Sequence, residues 1–269
     1  MNLALLPIFL ALGGFVGFLA GLLGIGGGFT IVPVLLEIFS RMGFATEHLV
    51  SMAIGTSAGT IIFTGISSTR AHHAKGAVSW PIVLAMSPGL VVGSLLGPQI
   101  ASNLPAAVMA ATFGAFIWFG AYRMIRNKAP VASHRLPGKL GMAAMGAVIG
   151  TVAGMVGTGG AFLAVPFMTR CNVKLHMAVA TSAALSVPVA VAAAIGFVFA
   201  GWHRPGLPPY AVGYVYLPAL VAIVVTSTLL APVGARMAHA WPVARLRYAF
   251  ATMLFCLGAY MWWKAIHLM

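Results

Sequence analysis

Acidic side chains are nearly missing from this chain. Its 269 residues include two Asp plus Glu against fifteen Lys plus Arg, and charged residues of both signs make up only 6%. Soluble domains carry about 25% charged residues, so an ordinary soluble fold is excluded. On a soluble protein a formal net charge of +13 would suggest nucleic acid as a partner. Here the charges are too sparse to line a groove and the apolar runs too long, so no nucleic-acid partner is expected. Cysteine is equally scarce. Cys171 and Cys256 cannot build a disulfide framework and fit no zinc spacing. The eight histidines form no His-x-x-x-His or His-Glu-x-x-His pattern, so no metal site is expected. Paired carboxylates and a plausibly spaced Ser-His dyad are also lacking, which argues against an enzyme. The glycine runs are not followed by Gly-Lys-Ser/Thr and no strand precedes them, so no nucleotide or other cofactor is implied.

What the chain does have is apolar length. Hydrophobic residues make up 61% of it, which points to an integral membrane protein. Apolar segments run over 3–20, 29–40, 49–68, 78–98, 105–122, 140–155, 161–169, 177–200, 210–234 and 247–263. They are too long and too little alternating for barrel strands, and read as an all-α polytopic protein. Met1 to Leu12 has no Lys or Arg ahead of its apolar run, so the start reads as a first membrane segment rather than a cleaved signal. Trp202, Trp241, Trp262 and Trp263 lie near segment ends, as interfacial belt residues do.

Two stretches are interrupted by glycine clusters, and they are copies of one another. Residues 13–35 read GGFVGFLAGLLGIGGGFTIVPVL and residues 146–168 read GAVIGTVAGMVGTGGAFLAVPFM. Gly17 matches Gly150, Gly21 matches Gly154, Gly24 matches Gly157, Gly26-Gly27 match Gly159-Gly160, and Pro33 matches Pro166. Further on, Thr56-Ser57-Ala58 corresponds to Thr181-Ser182-Ala183, Leu95-Leu96-Gly97-Pro98 to Leu229-Leu230-Ala231-Pro232, and Gly120-Ala121-Tyr122 to Gly258-Ala259-Tyr260. The expected organisation is an N-terminal repeat over 1–128, a basic cytoplasmic linker over 129–139 and a C-terminal repeat over 140–269, together one transport domain.

Basic residues gather on cytoplasmic loops. If each glycine-broken stretch crosses the membrane once, the fifteen Lys and Arg divide nine to six. If each is a hairpin that enters and leaves on one side, twelve share a face, and only Arg41, Arg204 and Lys264 oppose them. The hairpin reading gives the cleaner answer. Each repeat is then a glycine-broken hairpin plus three transmembrane helices, and the two repeats are inverted. Eight plain helices with parallel repeats are the alternative.

Inverted repeats with broken helices are a transporter architecture, with the substrate near mid-membrane. Glycine clusters turn the chain there and lead into helix starts at Gly28-Phe29 and Ala161-Phe162. A helix start presents unpaired N–H groups and the positive end of its dipole, which favours an anion. The candidate substrate-binding residues are therefore Gly26, Gly27, Gly28, Thr30, Thr56 and Ser57 in the first repeat. In the second they are Thr158, Gly159, Gly160, Thr181 and Ser182. Gly13, Gly17 and Gly21 form a small-residue face suited to close helix packing instead. Glu37 and Glu47, with no counterparts in the second repeat, flank the first loop and are expected at a membrane face. Arg70, His72, His73 and Lys75 cluster at the end of a span, where they either attract an anion or anchor the helix to the cytoplasmic side.

The doubled element, Gly17 to Phe29 and Gly150 to Phe162, with Thr-Ser-Ala downstream of each, resembles the TauE/SafE sulfite exporter family, including permeases similar to those for 4-toluene sulfonate uptake. The resemblance extends over residues 5–263. One departure is Ala161 where the first copy has Gly28. The resemblance implies a cell-membrane (bacterial inner-membrane), multi-pass permease for a small sulfur-containing anion such as sulfite or an organosulfonate. It also implies functional roles for the two glycine elements and the two Thr-Ser-Ala elements. The expected mechanism is secondary transport by alternating access, with H+ or Na+ as candidate coupling ion. Membrane lipid surrounds the protein, as a monomer or homodimer. An anion channel, or a carrier of another small anion such as a carboxylate, is the alternative.

Overall fold

The structure is a computed structural model and describes residues 6–23, 27–126, 135–237 and 243–268. Gly26, most of the 129–139 linker and Trp241 lie outside the described residues. The first repeat holds α1 (Leu6–Leu23), α2 (Gly28–Arg41), α3 (Leu49–His73), α4 (Trp80–Ser102) and α5 (Ala106–Arg126). The second holds α6 (Lys139–Val156), α7 (Ala161–Arg170), α8 (Leu175–Gly201), α9 (Leu217–Met237) and α10 (Val243–His267). Among the described residues, six helices are long and apolar enough to cross a membrane: α3, α4, α5, α6, α8 and α9. The chain is an all-α polytopic, multi-pass membrane protein.

The glycine breaks fall where expected, but the arms around the second are unequal. α6 has 18 residues, about 27 Å at 1.5 Å per residue, whereas α7 has 10 and reaches about 15 Å, half a bilayer core. The segment expected at 210–234 also differs. Residues 211–216 form a short hairpin, Ala211–Val212 pairing antiparallel with Val215–Tyr216, and the helix begins only at Leu217. Pro208, Pro209 and the left-handed Tyr210 and Gly213 keep this apolar stretch out of the helix.

Helix neighbours exchange when the two halves are exchanged. α1 packs on α9 and α6 on α4; α2 packs on α3 and α7 on α8; α3 packs on α8 and α5 on α10. The glycine faces set the first two pairs. Gly13 abuts the Ile223 backbone and Gly17 that of Ser227, so α1 and α9 run parallel. In the second copy Gly146 abuts Met86, Gly150 Leu90 and Gly154 Ser94, so α6 and α4 run parallel too. These contacts bear out the packing role of the small-residue stripe, through close backbone approach.

The two ends of the bundle differ in charge. α3 and α8 are antiparallel, since Gly55 meets Phe197 and Gly65 meets Ser186. The end of α3, with Arg70, His72 and His73, therefore shares a face with the starts of α4, α6 and α8, where Lys139 and Lys174 lie. On the opposite face His48 Nε2 lies 3.0 Å from Pro205 O, and Glu37 accepts from Arg41 Nε (2.7 Å) and from Tyr260 Oη (2.6 Å). Lys264 Nζ is 3.5 Å from the same carboxylate. Both glutamates thus sit at that second face, Glu37 half-buried in its ion cluster and Glu47 largely exposed.

Candidate functional site

The two glycine breaks meet in the middle of the bundle. Gly27 precedes α2 at φ 69°, ψ −12°, and its repeat mate Gly160 precedes α7 at φ 74°, ψ −11°. This left-handed geometry is open to glycine and strained for most other residues. It turns the chain back on itself. Gly27 contacts Val16 and Ala20, eleven and seven residues upstream, and Gly160 contacts Ile149 and Ala153 at the same spacing. Had the helix continued, eleven residues would have carried the chain about 16 Å onward. Sequence equivalence has here become equivalence of backbone and contacts.

The turns then touch across the halves. A Cβ placed on Gly28 would lie 2.5 Å from Gly157 O and 3.0 Å from Thr158 Cα. Phe29 and Phe162, the equivalent residues just after each break, meet edge to face at 5.4 Å, with Phe116 against both. Ile54 and Ile61 of α3 close on Gly157 and Gly159, and Ser186 of α8 closes on Gly159. The first turns of α2 and α7 carry no side-chain cap. They point their dipole starts into a buried, mostly apolar centre.

The hydroxyls around this centre fall into three groups. Thr30 and Thr158 are 3% and 1% exposed, and their Oγ1 atoms have no hydrogen-bond partner among the described residues. A buried unpaired hydroxyl costs about 1–3 kcal/mol, so one in the first turn of α2 and one in the break before α7 call for an explanation. Thr56 and Thr181 behave differently. Thr56 Oγ1 accepts from the Tyr216 amide at 3.0 Å, and Thr181 Oγ1 from the Ser79 amide at 3.0 Å. Tyr216 and Ser79 immediately precede α9 and α4, so these two threonines pin equivalent helix starts of the opposite repeat. Sequence reasoning paired them correctly but could not see those long-range amides. Third, Ser57 Oγ donates to Gly157 O at 3.4 Å, holding the second break, while Ser182 Oγ donates to Val179 O within its own helix at 2.8 Å.

The two faces are built differently. Toward the second face, Phe39, Phe44 and Tyr216 pack with ring centroids 5.0–5.5 Å apart, and Tyr214 lies under His48 at 5.6 Å. Toward the basic face there is a cavity of about 380 Å³ between α3, α4 and α8. Arg70, Thr69 and Trp80 line it together with Val187 and Pro188. Val187 also contacts Gly65, as does Ser186, whose other neighbour is Gly159. Ser186, the residue before the cavity-lining Val187, thus touches the second glycine break. Among the described residues no group of His, Cys, Asp and Glu is arranged to hold a metal ion.

Comparison with known proteins agrees with the doubled motif. The chain is 32% identical to a probable membrane transporter protein of Haemophilus influenzae over 257 residues, covering 95% of this chain and 97% of that one. It is 25% identical to a probable membrane transporter protein of Methanocaldococcus jannaschii over 261 residues, covering 96% of each. A third, from Bacillus subtilis, is 26% identical over 241 residues, covering 87% of this chain and 90% of that one. No solved structure gives a significant match. Residues 9–261 match the family described as Sulfite exporter TauE/SafE, and the chain belongs to that family.

Proposed function

We propose that this membrane protein is a secondary permease for a small sulfur-containing anion, sulfite or an organosulfonate, which binds where the two glycine breaks meet. The observation that carries the reading is the pair of buried, unpartnered hydroxyls, Thr30 and Thr158. Thr30 lies in the first turn of α2 and Thr158 in the break that leads into α7, and each of these helix starts favours negative charge. Gly27, Gly28, Gly159 and Gly160 shape the backbone there, and Ser57 steadies the second break. Thr56, Thr181 and Ser182 act one layer out, by setting the helices that carry the site.

Alternating access is supported by the exchangeable helix neighbours and by the difference between the two faces. Two repeats of opposite orientation rock about the central contact. Parallel packing of α1 on α9 and of α6 on α4 supports that inversion, because each break then returns the chain to the face it came from. The basic face is the cytoplasmic one by the distribution of Lys and Arg. The cavity lies on that face and does not include the proposed site residues in its lining, and aromatic packing covers the other face. The inside-negative membrane potential favours outward movement of an anion, whereas uptake needs H+ or Na+.

The test is a screen of purified protein for thermal stabilisation by methanesulfonate, sulfite, taurine, sulfoacetate and simple carboxylates. Liposome transport under imposed pH and Na+ gradients follows. Stabilisation and saturable flux with sulfur anions support the reading. Transport of a neutral or cationic solute, with no response to any anion, contradicts it.

A further inference from the structure

The breaks meet in a centre that offers hydroxyls and helix dipoles but no formal charge. Among the described residues, the buried polar side chains besides Tyr214 and Tyr216 are twelve Ser and Thr hydroxyls and His48. His48 belongs to the second face, against Pro205 and Glu47. On the elements packed around the breaks, α3 brings Thr56, Ser57, Thr60 and Thr64, and α8 brings Thr181, Ser182 and Ser186. Thr60, Thr64 and Ser186 donate within their own helices. The remaining wall is Phe29, Phe162, Ile54 and Ile61. Arg70 stands at the exposed mouth of the cavity, separated from Gly159 by Val187 and Ser186.

From this we infer that the site selects singly charged anions over doubly charged ones. The inference rests on the permease reading and sharpens its substrate class. The cost of moving an ion into a low-dielectric interior grows with the square of its charge. A dianion therefore faces about four times the desolvation cost of a monoanion of the same size. Neutral donors and helix starts can offset the smaller cost, as they supply partial charges only. Offsetting the larger one calls for a buried Lys or Arg, and none is present among the residues whose side chains are described. The preferred substrates are then singly charged sulfonates and hydrogen sulfite, with sulfate, fully ionised sulfite and doubly charged sulfonates such as sulfoacetate disfavoured. Each turnover also moves one net negative charge unless a cation accompanies it.

Methanesulfonate and sulfate give the test, because both are compact, tetrahedral at sulfur and rich in oxygen, and they differ in charge. Purified full-length protein is titrated with each at matched ionic strength, with thermal stability as the readout. The same protein in liposomes is then tested for anion-driven current. Methanesulfonate should act at concentrations roughly tenfold or more below those needed for sulfate. With a fixed total concentration of sulfite, acidification should strengthen the response as hydrogen sulfite replaces the dianion. Sulfate acting as strongly as methanesulfonate, or a sulfite response that weakens on acidification, overturns charge selection and leaves the permease reading standing. A folded protein that responds to none of these anions overturns both.

Discussion

A single methyl group at Gly28 probes the contact between the two breaks. Gly28 lies inside α2 with ordinary helical backbone, so Gly28→Ala introduces no left-handed strain, and its effect is steric. The new Cβ would lie 2.5 Å from Gly157 O, 3.0 Å from Thr158 Cα and 3.1 Å from the Ile61 Cδ1 methyl. Ile61 can rotate away. The carbonyl and the Cα belong to the second break and can yield only if the two turns part. Overpacking against backbone costs about 1–3 kcal/mol. The equivalent second-repeat position already carries a methyl as Ala161, which makes Ala161→Gly the control, expected within about 1 kcal/mol of wild type. Thermal unfolding in detergent, followed by tryptophan fluorescence, should show Gly28→Ala lowered by several degrees, on the scale of about 2–4 °C per kcal/mol. Anion-dependent stabilisation should fall further than stability does, because the turns that form the site have moved apart. If Gly28→Ala matched wild type in both measurements, the turns would not be in contact and the site would have to be sought elsewhere.

Two further outcomes follow from the same geometry. Thr56→Val and Thr181→Val each leave a buried amide, Tyr216 or Ser79, without its acceptor, and each should lower stability by about 1–3 kcal/mol in the same unfolding assay. The orientation of the breaks is read by impermeant maleimide labelling of single cysteines at Arg135 and Lys174. The hairpin arrangement puts both on one side of the membrane, whereas a once-crossing α6–α7 stretch puts them on opposite sides. The native background is modest, since Cys171 is buried and burial pushes its thiol up, leaving Cys256 as the exposed one to replace by serine.

Much of this fold was legible because the two copies repeat glycine at the same spacing, and glycine spacing reports directly on backbone geometry. Gly27 and Gly160 were paired by sequence and share their dihedrals to within a few degrees. The Gly13 and Gly17 stripe was readable as a packing face, but not that α9 is its partner, because nothing local distinguishes one apolar helix from another. The hairpin at 211–216 was missed for a related reason. Its residues are as apolar as a span, and only Pro208, Pro209 and Gly213 argue otherwise. At the site, composition and position brought the hydroxyl residues forward as a set. Dividing them into unpartnered Thr30 and Thr158 and structurally engaged Thr56 and Thr181 depends on amides more than 100 residues away in sequence.

The central claim is that the free hydroxyls exist for an anion, and Thr158→Val tests it most directly. Valine keeps the branched shape and removes the unpaired oxygen. Without ligand the variant should be as stable as wild type or more so, by about 1 kcal/mol, because a buried unsatisfied group is gone. With methanesulfonate its apparent affinity should fall by about 10–100-fold, the loss of one hydrogen bond to a charged group. Opposite signs in the two measurements are the predicted result. A variant that loses stability without ligand and keeps full anion affinity would show that Thr158 serves packing alone and would contradict the account.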